Sequence, residues 1–472
     1  MTSFIMKILE NKMPKNYKLS LFIFRRDLRL QDNTGLIAAL ENSEQVICCF
    51  ILNPDQLTSK NSYKSDNGIQ FMFDSLTDLN DQLKQKESKL YLVHGKPTAV
   101  IKDLTKELAI DAIFVNRDYT PYSKQRDEEI RALCEKQSIA FETYNDLILN
   151  EPENIKTKQG HPYTVYTAFL HTCSKIPVSK PQKNNLNNYF NKKIELEVSK
   201  KIFEEILRVR NNVINVHGGR KNGLAILKNI STFEDYPNQR NILTYKTTML
   251  SAHNKFGTCS IREVYYTIIT AFSKEHTLIN ELYWRDFFIH VAWHFPHVFG
   301  KPFHDKFDKL TWVKDPQSFK AWCNGLTGFP VVDAAMRQLN TIGFMHNRAR
   351  MIVGSFLTKD LHIDWQLGEK YFAQKLVDYD PCVNNGNWQW VASTGCDAQP
   401  YFRIFNPWLQ QEKFDPDCSY IKEWIPELES VDPKIIHTWY KQTEPINNYP
   451  LPIVDHAKES RLSLEYYKSV KN

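Results

Sequence analysis

The sequence predicts a chain of two unlike halves: an α/β domain built on a doubly wound parallel sheet, then a large all-helical domain. Three observations predict it. From about residue 18 to residue 150, short apolar runs alternate with amphipathic stretches. After residue 201 the strand signal disappears, and all ten tryptophans fall after residue 280. A length of 472 residues also exceeds what one hydrophobic core serves.

The elements follow in order. "LSLFIF" (19–24), "QVICCFIL" (45–52), "LYLVHG" (90–95) and "AIFVNRDY" (112–119) are continuous apolar runs, the pattern of parallel strands buried on both faces. Between and after them, 33–42, 66–88, 97–108 and 121–136 carry helical periodicity. This alternation predicts a doubly wound domain over 18–150. Residues 1–17 lack the apolar core and cleavage site of a secretion signal and read as an appended tail. Residues 151–200 include the Pro-, Asn- and Lys-rich "SKIPVSKPQKNNLNNYFNKK" and read as an interdomain linker crossing the surface. Residues 201–472 then form the helical domain.

Composition narrows the function classes. Hydrophobic residues at 42% with 24% charged residues exclude a disordered chain. No apolar run reaches the roughly 18 residues of a membrane span. Nine cysteines occur singly or as the pair Cys48–Cys49, without CxxC spacing. That fits reduced thiols in the cytoplasm rather than a disulfide framework or a zinc site, and no metal is expected. The net charge of +6 permits a polyanionic partner without demanding one.

Four stretches carry chemistry. "FRRDLRLQDN" (24–33) leaves the first strand without a glycine-rich phosphate loop, and in isolation reads as a solvated, self-paired loop. "NELYWRDFF" (280–288) puts Glu281, Trp284, Arg285 and Phe288 on one helical face, where a glutamate is costly unless it is hydrogen-bonded. "GFMHNRARMIVGSFLTKD" (343–360) reads as one helix with Asn347, Arg350 and Met351 on a shared face and Arg348 a quarter turn away. "DYDPCVNNGNWQW" (378–390) packs two aspartates, three asparagines and two tryptophans around a proline and a glycine. Singly, each stays open between core and site. Together they describe the lining of a large cavity, partly polar and partly aromatic. A flavin is one candidate occupant. "TYKTTMLS" (244–251) would offer the hydroxyls of Thr247, Thr248 and Ser251 to its pyrophosphate.

With "TGFPVVDAAMRQL", "DYDPCVNNGNWQWVASTGCDAQPYFRIFNP" and "KFDPDCSYIKEW", these stretches resemble the photolyase/cryptochrome family from about residue 18 to the end. "MHNRARM" with "NWQW" looks like the class I cyclobutane pyrimidine dimer photolyases; (6-4) photoproduct enzymes carry a histidine pair instead. The resemblance implies an antenna domain, a helical domain holding FAD, and light-driven repair of damaged DNA. It places Tyr236, Thr247, Thr248, Met249, Leu250 and Ser251 at the FAD phosphates. Arg350 and Asp378 become an ion pair beside the flavin ring, Asp380 and Asn384 line it, and Asn384 faces its N5. Trp388, Trp365 and Trp312 become the electron relay, from the flavin outward. Glu281, Trp284, Asn347, Met351 and Trp390 meet the flipped dimer, with Glu281, Asn347, Met351 and Asn384 in the reaction itself. Arg240, Arg285, Arg348 and Arg403 are the matching basic positions, Arg240 and Arg348 foremost for DNA phosphates.

The chain departs from the family at three places. It reads "SAHNKFG", with His253 and Asn254, where relatives have proline, an aromatic and leucine; Leu278 stands where some relatives have tryptophan. "HVFGKPF" lacks the Cys–Lys pair of methenyltetrahydrofolate binders, although "VNRDYTPYSKQRD" (115–127) sits where antenna pigments dock. A folate, a deazaflavin or an empty antenna cleft therefore all stay open. A cryptochrome-type light sensor is the alternative reading. It would carry a long C-terminal extension or a remodelled lesion pocket. The remaining expectations are damaged DNA as partner, no membrane, no obligate protein partner, a monomer and a cytoplasmic location.

Overall fold

The computed structural model describes residues 15–197 and 210–470. Most of the expected tail (1–14) and the end of the expected linker (198–200) lie outside the described residues. The first half runs β1 (Tyr17–Phe24), α1 (Thr34–Asn42), β2 (Ser43–Leu52), α2 (Asp66–Lys84), β3 (Tyr91–His94), α3 (Pro97–Glu107), β4 (Ala112–Asn116), α4 (Pro121–Gln137) and β5 (Ala140–Tyr144). All pairings are parallel, in the order β3-β2-β1-β4-β5. The order reverses beside β1, so the switch point where such sheets bind ligands lies at the carboxyl ends of β1 and β4. Helix starts follow local chemistry. The side chains of Asn33, Ser65 and Thr120 cap α1, α2 and α4, and Pro97 and Pro121 open α3 and α4.

β5 is the strand the sequence reading missed. Its "AFETY" is half-buried throughout, as suits an edge strand, and gives no continuous apolar run. The expected linker is also more structured than a surface crossing. It contains α5 (Tyr166–Cys173), and Tyr189 forms a parallel bridge to Val46. β3 pairs only with Cys49–Leu52, which leaves the backbone of Val46 on an edge. The linker takes both groups: Val46 N–H donates to Asn188 O (3.0 Å) and Phe190 N–H to Val46 O (2.8 Å).

The principal helices of the second half are α6 (Ile261–Ala271), α7 (Thr277–His294), α8 (Pro330–Ile342), α9 (Asn347–Ser355), α10 (Trp365–Lys375), α11 (Pro381–Val391) and α12 (His456–Ser469). The single helix expected over 343–360 begins only at Asn347. Gly343 (φ 67°) ends α8, and the His346 side chain caps α9 by accepting from Arg348 N–H at 3.1 Å. A π-helical turn, Phe356–Asp360, continues it. α7 and α11 cross closely because Gly386 has no side chain; a Cβ there would lie 2.1 Å from Phe288 Cδ1. Among the described residues no helix is long and apolar enough to cross a membrane.

The "FRRDLRLQDN" segment is not a solvated loop. Arg29 pairs with Asp146 at 2.6 Å, and the two are 1% and 2% exposed. Arg262 of α6 reaches Asp32 at 2.9 Å and Asp146 at 2.8 Å, and Arg29 also donates to Gly257 O at 3.2 Å. The partners lie 117 and 230 residues away, so no local reading could pair them. Removing Asp146 would leave Arg29 buried without its carboxylate, and removing Arg262 would leave Asp32 without its cation, at roughly 3–5 kcal/mol. This cluster ties the two halves together.

Candidate functional site

The segment 244–251 turns sharply at Met249, whose φ of 54° is costly for a residue other than glycine and persists only where surroundings over-determine the backbone. Thr247 and Thr248 are half-buried, Ser251 is exposed, and Leu250 and Tyr236 are buried. Leu250 N–H meets Thr248 Oγ1 at 3.4 Å. In the stretches around α9 and α11, Arg350 Nη2 pairs with Asp378 Oδ2 at 2.9 Å and Arg350 Nε donates to Met345 O at 2.9 Å. Asn384, on α11, donates through Nδ2 to Glu369 O at 3.0 Å, which leaves its Oδ1 to accept from an N–H. Asp380 caps α11 through Cys382 and Val383 N–H, and its other oxygen is held by Arg26. Burial alone would raise the Asp380 carboxyl, but Arg26, Lys255 and Arg285 hold it below the ordinary aspartate range. Its carboxylate thus serves the start of α11, the helix that carries Asn384.

These residues fit an FAD. Buried polar groups are normally partnered. Asp378 Oδ1, Asn254 Oδ1, Tyr245 OH and His346 Nε2 are buried with no hydrogen-bond partner among the described residues, and all lie on or beside these segments. Acceptors and donors left in this way suit a ligand rich in hydroxyls and ring N–H and C=O groups. The departures from the family pattern have structural explanations. His253 is buried, meets Thr258 Oγ1 at 2.7 Å and packs edge-on to Phe71 at 5.1 Å, and burial holds it near pKa 4, hence neutral. Leu278 is simply core.

Trp388 and Trp365 are almost fully buried, and Trp312 is half-exposed. Trp388 lies against α10 where Gly368 makes room; a Cβ there would stand 2.2 Å from its Cη2. Trp312 packs edge-on to Tyr466 and Tyr467 of α12, and the next residue, Val313, donates to His362 O at 2.8 Å, three residues before Trp365. Sequence reasoning passed over Trp322. It is fully buried 6.2 Å from Trp388 and donates to Val353 O at 3.1 Å.

On the open side, Glu281 pairs with Arg240 at 2.8 Å, both about two-fifths exposed. Partial burial pushes the Glu281 carboxyl above the usual glutamate range, and Arg240 opposes this. Arg348 binds Asn241 Oδ1 (2.7 Å) and lies over Phe414 (4.6 Å) and Phe405 (6.0 Å). Burial and the Arg240 charge lower its pKa. Asn347 is exposed and its amide meets Met351 Sδ at 3.8 Å. Trp390 is half-buried at the end of α11, and Arg403 is exposed two residues before Phe405. Trp284 has one face covered by Tyr166 of α5, stacked at 3.5 Å and 8°. Arg285 is the exception. It is turned into the junction between the halves, donating to Leu147 O (2.9 Å) and Asn254 O (3.3 Å), so it leaves the set of DNA-facing cations.

A second cavity, of about 590 Å³, opens at the switch point of the sheet. Ile51, Met72, Phe256 and Tyr379 supply apolar walls, and Arg25, Arg26, Arg126 and Lys255 supply cations. Arg126 Nη2 is buried with no hydrogen-bond partner among the described residues. Burial and neighbouring Arg26 push the Lys255 amine down to about 8.

Comparison with known proteins agrees with both halves. Residues 20–185 match the family described as DNA photolyase, and residues 278–469 match the FAD binding domain of DNA photolyase. The chain belongs to the DNA photolyase family and contains its FAD-binding domain. It is 35% identical to a deoxyribodipyrimidine photo-lyase of Agrobacterium fabrum, over 95% of this chain and 97% of that one. Its fold matches an archaeal photolyase from Sulfolobus tokodaii that holds two FAD molecules, with TM-score 0.88 and 41% identity, over 96% of this chain and 100% of that one. A cryptochrome from Synechocystis sp. matches at TM-score 0.87 and 27% identity, over 96% of this chain and 99% of that one.

Proposed function

We propose that the protein repairs cyclobutane pyrimidine dimers in DNA by a light-driven reaction, acting as a cytoplasmic monomer on a dimer flipped out of the duplex. The observation that carries this reading is the continuous run Glu281–Arg240–Asn241–Arg348, with Asn347 and Met351 on the same short helix as Arg348. It sets a carboxyl of raised pKa, an amide and a thioether beside two cations on one open face. FAD, when bound, supplies the light-excited electron. Asp378, Arg350, Asn384 and the hydroxyls of 247–251 are the groups we assign to hold it. The free Oδ1 of Asn384 suits an N–H of its ring. Trp284 and Trp390 are assigned to grip the lesion, whose extrusion costs a few kcal/mol and least for damaged bases. Arg240, Arg348 and Arg403 are assigned to DNA phosphates. Glu281, whose pKa burial raises against the pull of Arg240, can in its protonated form donate to a dimer carbonyl where negative charge gathers. Trp312, Trp365 and Trp388 form the inward path for electrons from solvent.

The photo-lyase names of the full-length relatives support repair over sensing. The switch-point cavity is assigned to a second, antenna chromophore, flat and carrying an anionic group, with a folate and a deazaflavin both compatible. The test is illumination of reduced protein with an oligonucleotide holding one thymine dimer. Light-dependent return of thymine absorbance is expected. No return, with FAD present and photoreducible, would replace repair with light sensing.

A further inference from the structure

Within the "FRRDLRLQDN" segment, Arg26 lines the switch-point cavity and belongs to neither the buried clamp nor the lesion face. Arg26 leaves the end of β1 and reaches into the helical half. Its Nη1 meets Asp118 at 3.0 Å, its Nη2 holds Asp380, and its Nε donates to Lys255 O at 3.1 Å. The side chain is 11% exposed. Each acceptor belongs to a different structure. Asp118 follows β4 and is itself fixed by Tyr119 N–H (2.8 Å) and Ser123 Oγ (3.0 Å). Asp380 caps α11, which carries Asn384 and Trp388. Lys255 lies in the last turn of the short helix Ser251–Phe256, which starts at the last hydroxyl of the proposed phosphate segment.

We propose that Arg26 is a positioning residue for the flavin, through which the α/β half joins the cofactor site of the helical half. The proposal rests on the assignment of FAD to 244–251 and 378–384. A guanidinium suits the role because its planar fork serves several acceptors in fixed directions, which a lysine ammonium cannot reproduce. The cation also faces two carboxylates, Asp118 and Asp380, and pulls both below their ordinary range against the effect of burial. Without Arg26, Asp118 would keep the influence of Arg126 and Lys255, and Asp380 that of Lys255 and Arg285, but neither would keep the cation that lowers it most. The cap of α11 would loosen relative to the end of the 251–256 helix, and the two segments assigned to the flavin would lose their common tether.

Arg25 supplies the control. It is equally buried and adjacent in sequence, yet its partners, Asp127 and Asn116 O, all lie within the α/β half. The experiment follows FAD release from full-length holoprotein by the rise in flavin fluorescence, with thermal melts alongside. Arg26→Gln should speed release about ten- to hundredfold, the scale on which losing the partners that orient metal ligands weakens metal binding. Arg26→Lys should fall between. Arg25→Gln should melt earlier yet release FAD at the wild-type rate. Wild-type release from Arg26→Gln overturns the proposal, as does an Arg25→Gln variant that loosens FAD equally. Asp378→Asn separates the two levels: if it loosens FAD while Arg26→Gln does not, only the positioning role fails. If neither variant loosens FAD, the assignment of the flavin site fails with it. Should Arg26→Gln not fold, Arg26→Lys and Asp118→Asn carry the same comparison.

Discussion

The stack of Tyr166 on Trp284 offers the sharpest test of the lesion pocket. The rings lie 3.5 Å apart at 8°, and the Tyr166 hydroxyl donates to Asn280 O at 2.8 Å. An aromatic pair contributes about 0.5–1.5 kcal/mol beyond burial, and one hydrogen bond about 1 kcal/mol. Tyr166→Leu should therefore destabilise the chain by about 2 kcal/mol, and Tyr166→Phe, which keeps the stack, by about 1 kcal/mol. The consequence for DNA differs in kind. A base on an aromatic face is worth about 1–3 kcal/mol, and Trp284 can offer that only while its other face is braced. The Leu variant should bind dimer-bearing DNA about 5- to 140-fold more weakly, at tenfold per 1.4 kcal/mol, with undamaged DNA unaffected. The Phe variant should bind normally. Fluorescence anisotropy with dimer-bearing and undamaged oligonucleotides at one fixed salt concentration reads both. Wild-type affinity in Tyr166→Leu would refute the brace, and a Phe variant as weak as the Leu variant would trace the effect to the hydroxyl.

Trp365→Phe should block photoreduction of oxidised FAD yet spare repair by chemically reduced protein; normal photoreduction would remove it from the relay. Glu281→Ala should lower repair per photon with FAD still bound. In the wild type that yield should fall as pH rises through the elevated Glu281 pKa, because the hydrogen-bond donor is the protonated form. Glu281→Gln should flatten the profile, and an unchanged profile would count against this role. Gly368→Ala, whose Cβ would meet Trp388 Cη2 at 2.2 Å, should cost about 1–3 kcal/mol through overpacking, seen as a lower urea midpoint.

Most strands and helices were legible because their signals are local. The continuous apolar runs of β1, β2 and β4 and the caps at Asn33, Ser65 and Thr120 require no knowledge of partners. β5 escaped because an edge strand with half its surface wet needs no such run. Family motifs brought the candidate residues forward by name, but motif position does not disclose direction. Arg285 shares a helix with Glu281 and Trp284, yet its guanidinium turns inward because the carbonyls of Leu147 and Asn254 await it there. Asp380 likewise carries a family position while its oxygens serve a helix cap and Arg26. Such facts depend on contacts across hundreds of residues. Tyr166 was invisible for the same reason: nothing in "YTVYTAF" announces that α5 folds back onto Trp284.

The charged cluster between the halves also bears on how this chain can change over generations. Asp32, Asp146, Arg29 and Arg262 are drawn from both sides of the junction, and each neutralises the others out of water. A chimaera joining this α/β half to the helical half of a distant relative would inherit one side of that arrangement and lack the other. The four positions should therefore travel as a set. Recombination that splits them should therefore create a folding defect even where every side chain assigned to the site is intact, measurable as a lower melting temperature of the chimaera.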